Sequence, residues 1–212
     1  MSAVLAIDTA GPVIGAAVVG EGTPRVWSAR AGRGSDAVLT PAIAELIAGA
    51  AHLQAVAVTV GPGAFTGLRV GVASALGVAM ARGLPVLAVS SLEVRAMLVS
   101  EPVVLALLDA RKKRFYGQVF DTRGLTPVAL NAPQDAPLTE LFPSSGFVAV
   151  GEGVETQKME IEAAGGVVGP SESPAEQLGR LALTRLEMAV EPAEIALRYL
   201  RNADAVPQVK TT

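Results

Sequence analysis

The sequence predicts an α/β protein of two lobes. Short apolar runs alternate with helical ones, a glycine-rich turn joins a strand to a helix near residues 60–67, and the opening strand pattern restarts near residue 105. Residues 3–7, 13–19 and 25–29 read as three strands in a meander, the second turn being Glu21-Gly22-Thr23-Pro24. Ser35 or Asp36 is placed to cap a helix that runs through Leu46 and Ile47, and residues 56–60 form the next strand. A long helix over 67–82, a strand over 85–89 and a short helix capped by Ser91 complete the first lobe. Glu101-Pro102 breaks the chain, which puts the first lobe at residues 1–101 and the second lobe at 102–212.

The second half repeats the start of the first. Leu105-Ala106-Leu107-Leu108-Asp109-Ala110 matches Leu5-Ala6-Ile7-Asp8-Thr9-Ala10, and each is followed by a turn and a second apolar strand, 115–120 or 13–19. Duplication of one lobe produces this pattern; chance similarity between two buried strands also produces it. Beyond lie a proline-rich loop at 132–143, a strand at 147–150, a helix at 154–164 and a helix at 174–189 with Pro174 at its first position. The polar end from Asn202 to Thr212 is expected to fray.

Composition excludes several kinds of chemistry. With 212 residues, half of them apolar, the chain can bury one large core or two small ones. A formal charge of −3 argues against a protein that grips nucleic acid alone. The exception is the run Arg111-Lys112-Lys113-Arg114, whose first reading is a solvated turn. There is no cysteine, so disulfides, thiol nucleophiles and thiolate zinc sites are excluded, and a cytoplasmic setting is expected. The lone histidine, His52, has no Ser or Asp partner suggested by spacing and cannot supply a metal-binding histidine pair. The apolar stretch 70–81 is bracketed by Arg69 and Arg82 and is too short for a bilayer, so it reads as a buried helix; no secretion signal opens the chain.

The glycine turn is neither a P-loop nor a dinucleotide fingerprint, because no Gly-Lys-Ser/Thr follows and the glycines fall at 61, 63 and 67. Residues 63–66 at a helix N-terminus are placed to hold an anion or an acidic group of another chain, while a tight strand-to-helix turn explains the same glycines. Gly67, Gly71, Ala75 and Ala79 share one helix face and form a stripe with almost no side chain, suited to a close helix partner within the lobe or in another subunit. Asp8, with Thr9, and Asp109 end equivalent strands and are the weak candidates for holding a magnesium-bound phosphate; their alternative role is capping turns.

Joined together, these segments resemble a known family. GPGAFTGLRVG at 61–71, followed by Leu84-Pro85-Val86 and Val89-Ser90-Ser91-Leu92-Glu93, is similar to the hallmark of the TsaB (YeaZ) family of bacterial threonylcarbamoyl-tRNA synthesis proteins. The opening strand, Leu39-Thr40-Pro41-Ala42-Ile43, Asp109-Ala110-Arg111 with Tyr116, and Tyr199-Leu200-Arg201-Asn202 extend the resemblance over residues 3–202. It implies a two-lobed actin/Hsp70-like (ASKHA) fold, each lobe a mixed sheet with packed helices, around a degenerate nucleotide cleft. It also implies a non-catalytic subunit that binds a TsaD-type catalytic subunit, joins a TsaE-type ATPase, meets tRNA only through the complex and forms homodimers when alone. No metal and no cofactor of its own are implied, although ATP or ADP at a subunit boundary is compatible with the family.

The partner surface then falls on Gly63, Phe65, Thr66, Gly67, Arg69, Val70, Gly71, Ser74, Ala75 and Val78, and Gly71→Leu or Ala75→Arg is expected to block assembly without unfolding the chain. Departures from the family are Ser35, where members commonly have histidine, and Lys113-Arg114-Phe115-Tyr116, where they commonly have Gly-Glu-Val-Tyr. The chain is also somewhat short between Ile47 and Val56 and in the second lobe. A phosphotransferase using Asp8 and Asp109 is the alternative reading; a protease is a third, with no cysteine, metal cluster or nucleophile-elbow serine behind it.

Overall fold

A computed structural model describes residues 3–20, 22–30, 34–49 and 52–201. The fraying expected at 202–212 lies outside the described residues. The first sheet has five strands in the order β3-β2-β1-β4-β5, with β1 Ala3–Asp8, β2 Val13–Val19, β3 Arg25–Arg30, β4 Leu53–Gly61 and β5 Val86–Ser90. The first three form the expected antiparallel meander, whereas β4 and β5 run parallel to β1. Every residue of β1 is buried, with Ala3, Leu5 and Ile7 in the core on one face and Val4 and Ala6 in the core on the other. An unbroken apolar run is what a strand covered on both faces requires. Burial of side chains such as Leu5 and Ile7 contributes roughly 1.5–3 kcal/mol each.

Helices α1 (Ser35–Ala48) and α2 (Phe65–Arg82) cover one face of this sheet. Gly34, in a left-handed conformation, occupies the N-cap position of α1, so the helix begins at Ser35, one residue after it, rather than behind Ser35 or Asp36. Helix α2 begins two residues earlier than the sequence suggested. It is buried on one side only, because Arg69, Ala73, Gly77 and Met80 face outward.

The second sheet repeats the first. Its order is β11-β10-β6-β7-β8, built from β6 Val104–Asp109, β7 Phe115–Asp121, β8 Val128–Ala129, β10 Phe147–Gly151 and β11 Gly166–Val168. β6 and β7 are antiparallel, and β6, β10 and β11 are parallel, matching β1/β2 and β1/β4/β5 in direction and order. The expected proline-rich loop contains an edge strand, β9 (Gln134–Ala136), paired with β7, and a helical turn, α4 (Leu138–Leu141). Helix α5 is short, Lys158–Ala163, behind a 3₁₀ turn.

Two segments tie the sheets together. Helix α3 (Ser91–Ala96) lies between them, its Leu92 and Ala96 in a core shared with Leu68 of α2 and Val104, Ala106 and Leu108 of β6. Ser90 rather than Ser91 holds its N-cap position, and neither serine side chain bonds the cap. Helix α6 (Ala175–Leu183) is shorter than the expected 174–189 and returns from the second half to the first sheet, placing Leu178, Leu181 and Ala182 against Val4, Ala6, Ala55 and Ala57. Pro174 occupies its N-cap. After it, Val190 pairs with Val86, and residues 195–201 run as a strap back toward β4.

Candidate functional site

The space between the lobes is filled by a buried charge cluster. Asp8 ends β1 and is fully buried. The Arg95 guanidinium of α3, also fully buried, approaches Asp8 at 3.1 Å from Nη2 to Oδ2 and 3.4 Å from Nη1 to Oδ1. Glu152, just past β10, takes Arg95 Nε at 2.9 Å and Nη2 at 2.9 Å. Thr59 of β4 donates its hydroxyl to Asp8 Oδ1 at 2.7 Å, and Ser91 O accepts from Arg95 Nη1 at 2.9 Å. Burial alone would lower the Arg95 pKa, but the charges of Asp8 and then Glu152 outweigh it and hold the guanidinium more firmly protonated than usual. Gly11, in the β1–β2 turn, makes room for this arrangement, since a Cβ there would sit 2.0 Å from Glu152 Oε1.

One cation thus joins carboxylates from both lobes through a helix that belongs to neither sheet. Both oxygens of Asp8 are engaged, so its carboxylate does not line an open cleft, and a phosphate-bound cation would have to displace Arg95. Asp109 is exposed; its Oδ1 accepts from the backbone N–H of Arg111 at 2.7 Å and closes its own turn. Thr9 is buried and donates to Gly67 O at 2.8 Å. The three residues considered for cofactor binding are not brought together: Asp8 joins Arg95 and Glu152, Thr9 joins α2, and Asp109 caps a turn. Among the described residues, no group of three or more His, Cys, Asp or Glu side chains could hold a metal ion.

The small-residue stripe of α2 faces inward. A Cβ on Gly67 would lie 2.3 Å from Thr9 O, one on Gly71 would lie 2.1 Å from Thr9 Oγ1, and Ala75 and Ala79 are fully buried. The stripe lets the helix sit against the β1–β2 turn, where Ala64 also donates its N–H to Ala10 O at 2.8 Å. Gly71→Leu or Ala75→Arg would therefore disrupt the lobe itself, which corrects the expectation that they spare the fold. Of the surface expected from the sequence, Phe65, Thr66 and Arg69 are exposed, Gly63, Gly67, Val70, Ser74 and Val78 are half-buried, and Gly71 and Ala75 are buried. The outer face carries a second small stripe, Ala73 and Gly77 between Arg69 and Met80, and a Cβ on Gly77 would meet nothing within 4 Å.

The strap links this helix to the second lobe. Arg198 N donates to Val60 O at 2.7 Å, and the Tyr199 ring lies 5.3 Å from that of Phe65. The Arg69 guanidinium stacks 3.8 Å above Phe65. Arg201 grips Asp135 of β9 with Nε to Oδ2 at 2.7 Å and Nη2 to Oδ1 at 2.9 Å, and Arg114 reaches Oδ1 of the same carboxylate at 2.8 Å. Burial pushes the Asp135 pKa up, but Arg201 and then Arg114 win and hold it below the usual carboxylate range. The sequence pointed to Tyr199 and Arg201 only through resemblance. It offered no sign of Arg95 or Glu152 beyond a cation in a short helix that also carries Glu93.

Two like-built lobes, each a mixed sheet with packed helices, joined across α3, define a two-lobed actin-like protein. A family model described as TsaD, tRNA N6-adenosine threonylcarbamoyltransferase, matches residues 26–132. YeaZ from Pseudomonas aeruginosa superposes with a TM-score of 0.79 at 25% identity, covering 94% of this chain and 100% of that one. A second solved structure, of an uncharacterized protein with similarity to peptidase YeaZ from the same organism, gives 0.80 at 26% identity over 95% of this chain and 100% of that one. Uncharacterized proteins of Mycobacterium tuberculosis and Mycobacterium bovis are 32% identical over 216 residues, 98% of this chain and 95% of theirs. The chain belongs to the TsaB (YeaZ) family, within the wider TsaD-related group.

Proposed function

We propose that this chain is the non-catalytic partner subunit of a tRNA-modifying complex. In that role it supports transfer of a threonylcarbamoyl group to the adenosine beside the anticodon, with a TsaD-type catalytic subunit and a TsaE-type ATPase. The observation that carries the reading is the fate of Asp8: the strand-end carboxylate available for metal-bound phosphate is spent on Arg95 and buried between the lobes. On this reading the chain acts in the cytoplasm and needs no metal or nucleotide of its own, and any ATP or ADP is met at the partner boundary. No described helix is long and apolar enough to cross a membrane.

The docking face is the outer side of α2, from Phe65 and Arg69 through Ala73 to Gly77 and Met80, and the same face pairs two copies when the partner is absent. Glycine inside a helix costs roughly 0.5–1 kcal/mol against alanine, and none of the described residues fills the space over Gly77 to offset that. Close approach of a partner helix would.

The test is a reconstitution with tRNA, threonine, bicarbonate, ATP, the threonylcarbamoyl-adenylate synthase, a TsaD-type subunit and a TsaE-type ATPase, with and without this chain, read by mass spectrometry of the nucleosides. Modified adenosine is expected only when the chain is present. Gly77→Leu is expected to keep the wild-type melting temperature within a few degrees and to lose co-elution with the TsaD-type subunit. Equal product without the chain would sink the reading; unchanged co-elution of Gly77→Leu would move the docking face elsewhere. ATP turnover by the isolated chain, abolished in Asp8→Asn, would instead establish the phosphotransferase reading.

A further inference from the structure

Residues 195–201 belong to no helix or strand, yet they cross from one lobe to the other and are fastened to both. Leu197 packs against the core of the first sheet and against the core shared with the second. Arg198 N donates to Val60 O at 2.7 Å, and Arg198 O lies so close to Gly61, whose φ is 124°, that a Cβ there would sit 2.1 Å from it. Three residues further on, Arg201 takes both oxygens of Asp135 in the second lobe, at 2.7 and 2.9 Å, and its Nη1 donates to Ala110 O at 3.2 Å. Arg114 Nε donates to the same carboxylate at 2.8 Å, so the group that receives Arg201 is itself held in place. Tyr199 stands between these two anchors.

The Tyr199 ring lies 5.3 Å from that of Phe65 at the start of α2, and its hydroxyl accepts from Arg69 Nε at 3.4 Å while the Arg69 guanidinium stacks on Phe65. Phe65 is 41% and Tyr199 43% exposed, so the stack is a surface feature, continuous with the outer face of α2. Tyrosine and arginine are among the residues that most often carry the energy of an interface, and an arginine between two rings is already ordered for that purpose. The ring also has a second apolar place to go, because a cavity of about 310 Å³ beside the strap is lined by Pro62, Phe120 and Pro133 as well as by Tyr199 and Leu200. We propose that Arg201 is a positioning residue for partner docking: its clasp on Asp135 holds Tyr199 against Phe65, so that an aromatic–arginine anchor is formed at the end of α2 before the partner arrives. An anchor formed in advance spares the ordering cost of binding. That the partner is a TsaD-type subunit rests on the reading of the chain as a subunit of a tRNA-modifying complex; the clasp and the stack do not.

The experiment is a double-mutant cycle on the affinity of the full-length chain for the TsaD-type subunit of the same organism, measured by isothermal titration calorimetry. Wild type, Arg201→Gln, Tyr199→Ala and the double variant are compared, each shown to be folded by a cooperative thermal melt. Tyr199→Ala should weaken binding at least about tenfold, and Arg201→Gln about threefold to tenfold, although the Arg201 side chain is spent on Asp135 and Ala110. The double variant should bind within about twofold of Tyr199→Ala, because a residue that acts by holding the tyrosine then has nothing left to hold. A direct contact with the partner, or a general loosening of the fold, would make the two losses multiply instead. Multiplying losses, wild-type affinity in Arg201→Gln or wild-type affinity in Tyr199→Ala would each overturn the proposal. Arg201→Lys, which keeps the charge but not the paired fork, takes the place of Arg201→Gln in the cycle if that variant does not fold. Wild-type binding with any of those three results removes the clasp and leaves the subunit role standing. A wild-type chain that does not bind the TsaD-type subunit would overturn the subunit role, and the clasp's part in docking with it.

Discussion

Asp8 and Asp109 end equivalent strands of a repeated sheet, and their surroundings have little else in common. The first is fully buried, shares Arg95 with Glu152 and takes the hydroxyl of Thr59; the second is exposed and accepts one backbone N–H from its own turn. The strands are paired in the same way, β1 with β2 through Asp8 and Gly15, β6 with β7 through Asp109 and Phe115. What differs lies in the elements brought to each turn. α3 places Arg95 over the first, and β10 delivers Glu152 to it from the other lobe, while the second turn projects outward and carries three cations. The same scaffold turn is locked between the two sheets in one half and left exposed in the other.

The strongest way to break the comparison is to remove the cation. Arg95→Met keeps most of the side-chain volume but leaves Asp8 and Glu152 buried and unbalanced, so unfolding by urea should show a loss of about 3–5 kcal/mol. That is a large share of the roughly 5–15 kcal/mol typical of a domain. Adding Asp8→Asn and Glu152→Gln to Arg95→Met removes the uncompensated charges and should recover part of the loss. A single variant that loses less than about 1 kcal/mol would mean that water reaches the cluster and that it does not lock the lobes.

Much of the fold was legible because its signals are local. The meander of β1–β3, the strand-turn-helix of β4 and α2 and the restart at residue 105 all follow from apolar periodicity and turn residues, and the resemblance rests on the same segments. The direction of the small stripe was not legible. Helix α2 carries small residues on both sides, so Gly67, Gly71, Ala75 and Ala79 are not told from Ala73 and Gly77 by spacing; the position of Thr9 decides which face is inside. Arg95 and Glu152 lie 57 residues apart and meet only once both lobes exist. The return of α6 to the first sheet is hidden for the same reason, since amphipathicity says that a helix has an inner face but not which sheet receives it.

Asp109→Ala tests the second turn directly, and its effect should be several-fold smaller than that of Arg95→Met. It deletes one hydrogen bond to Arg111 N at an exposed position, worth about 0.5–1.5 kcal/mol. The same substitution at Asp8 would leave the buried Arg95 with Glu152 as its one carboxylate and the Thr59 hydroxyl without its acceptor, and so cost more, and the ratio of the two losses measures how far the two turns have diverged. Equal losses would erase the distinction.

Lys113→Gly should have the smallest effect and the opposite sign. The left-handed φ of 59° disfavours a lysine side chain by about 1–2 kcal/mol, against which glycine adds unfolded-state entropy of about 0.4–1 kcal/mol. The difference is a net stabilisation of about 0.8 kcal/mol, visible as a small rise in the urea midpoint with an unchanged slope. A chain that becomes more stable when a surface lysine is replaced keeps that lysine for something other than folding, and this sign shows whether the left-handed backbone is a net cost at this position. If Lys113→Gly is destabilising, its side chain is held by contacts that favour the left-handed backbone, and the strain ceases to count as evidence for function.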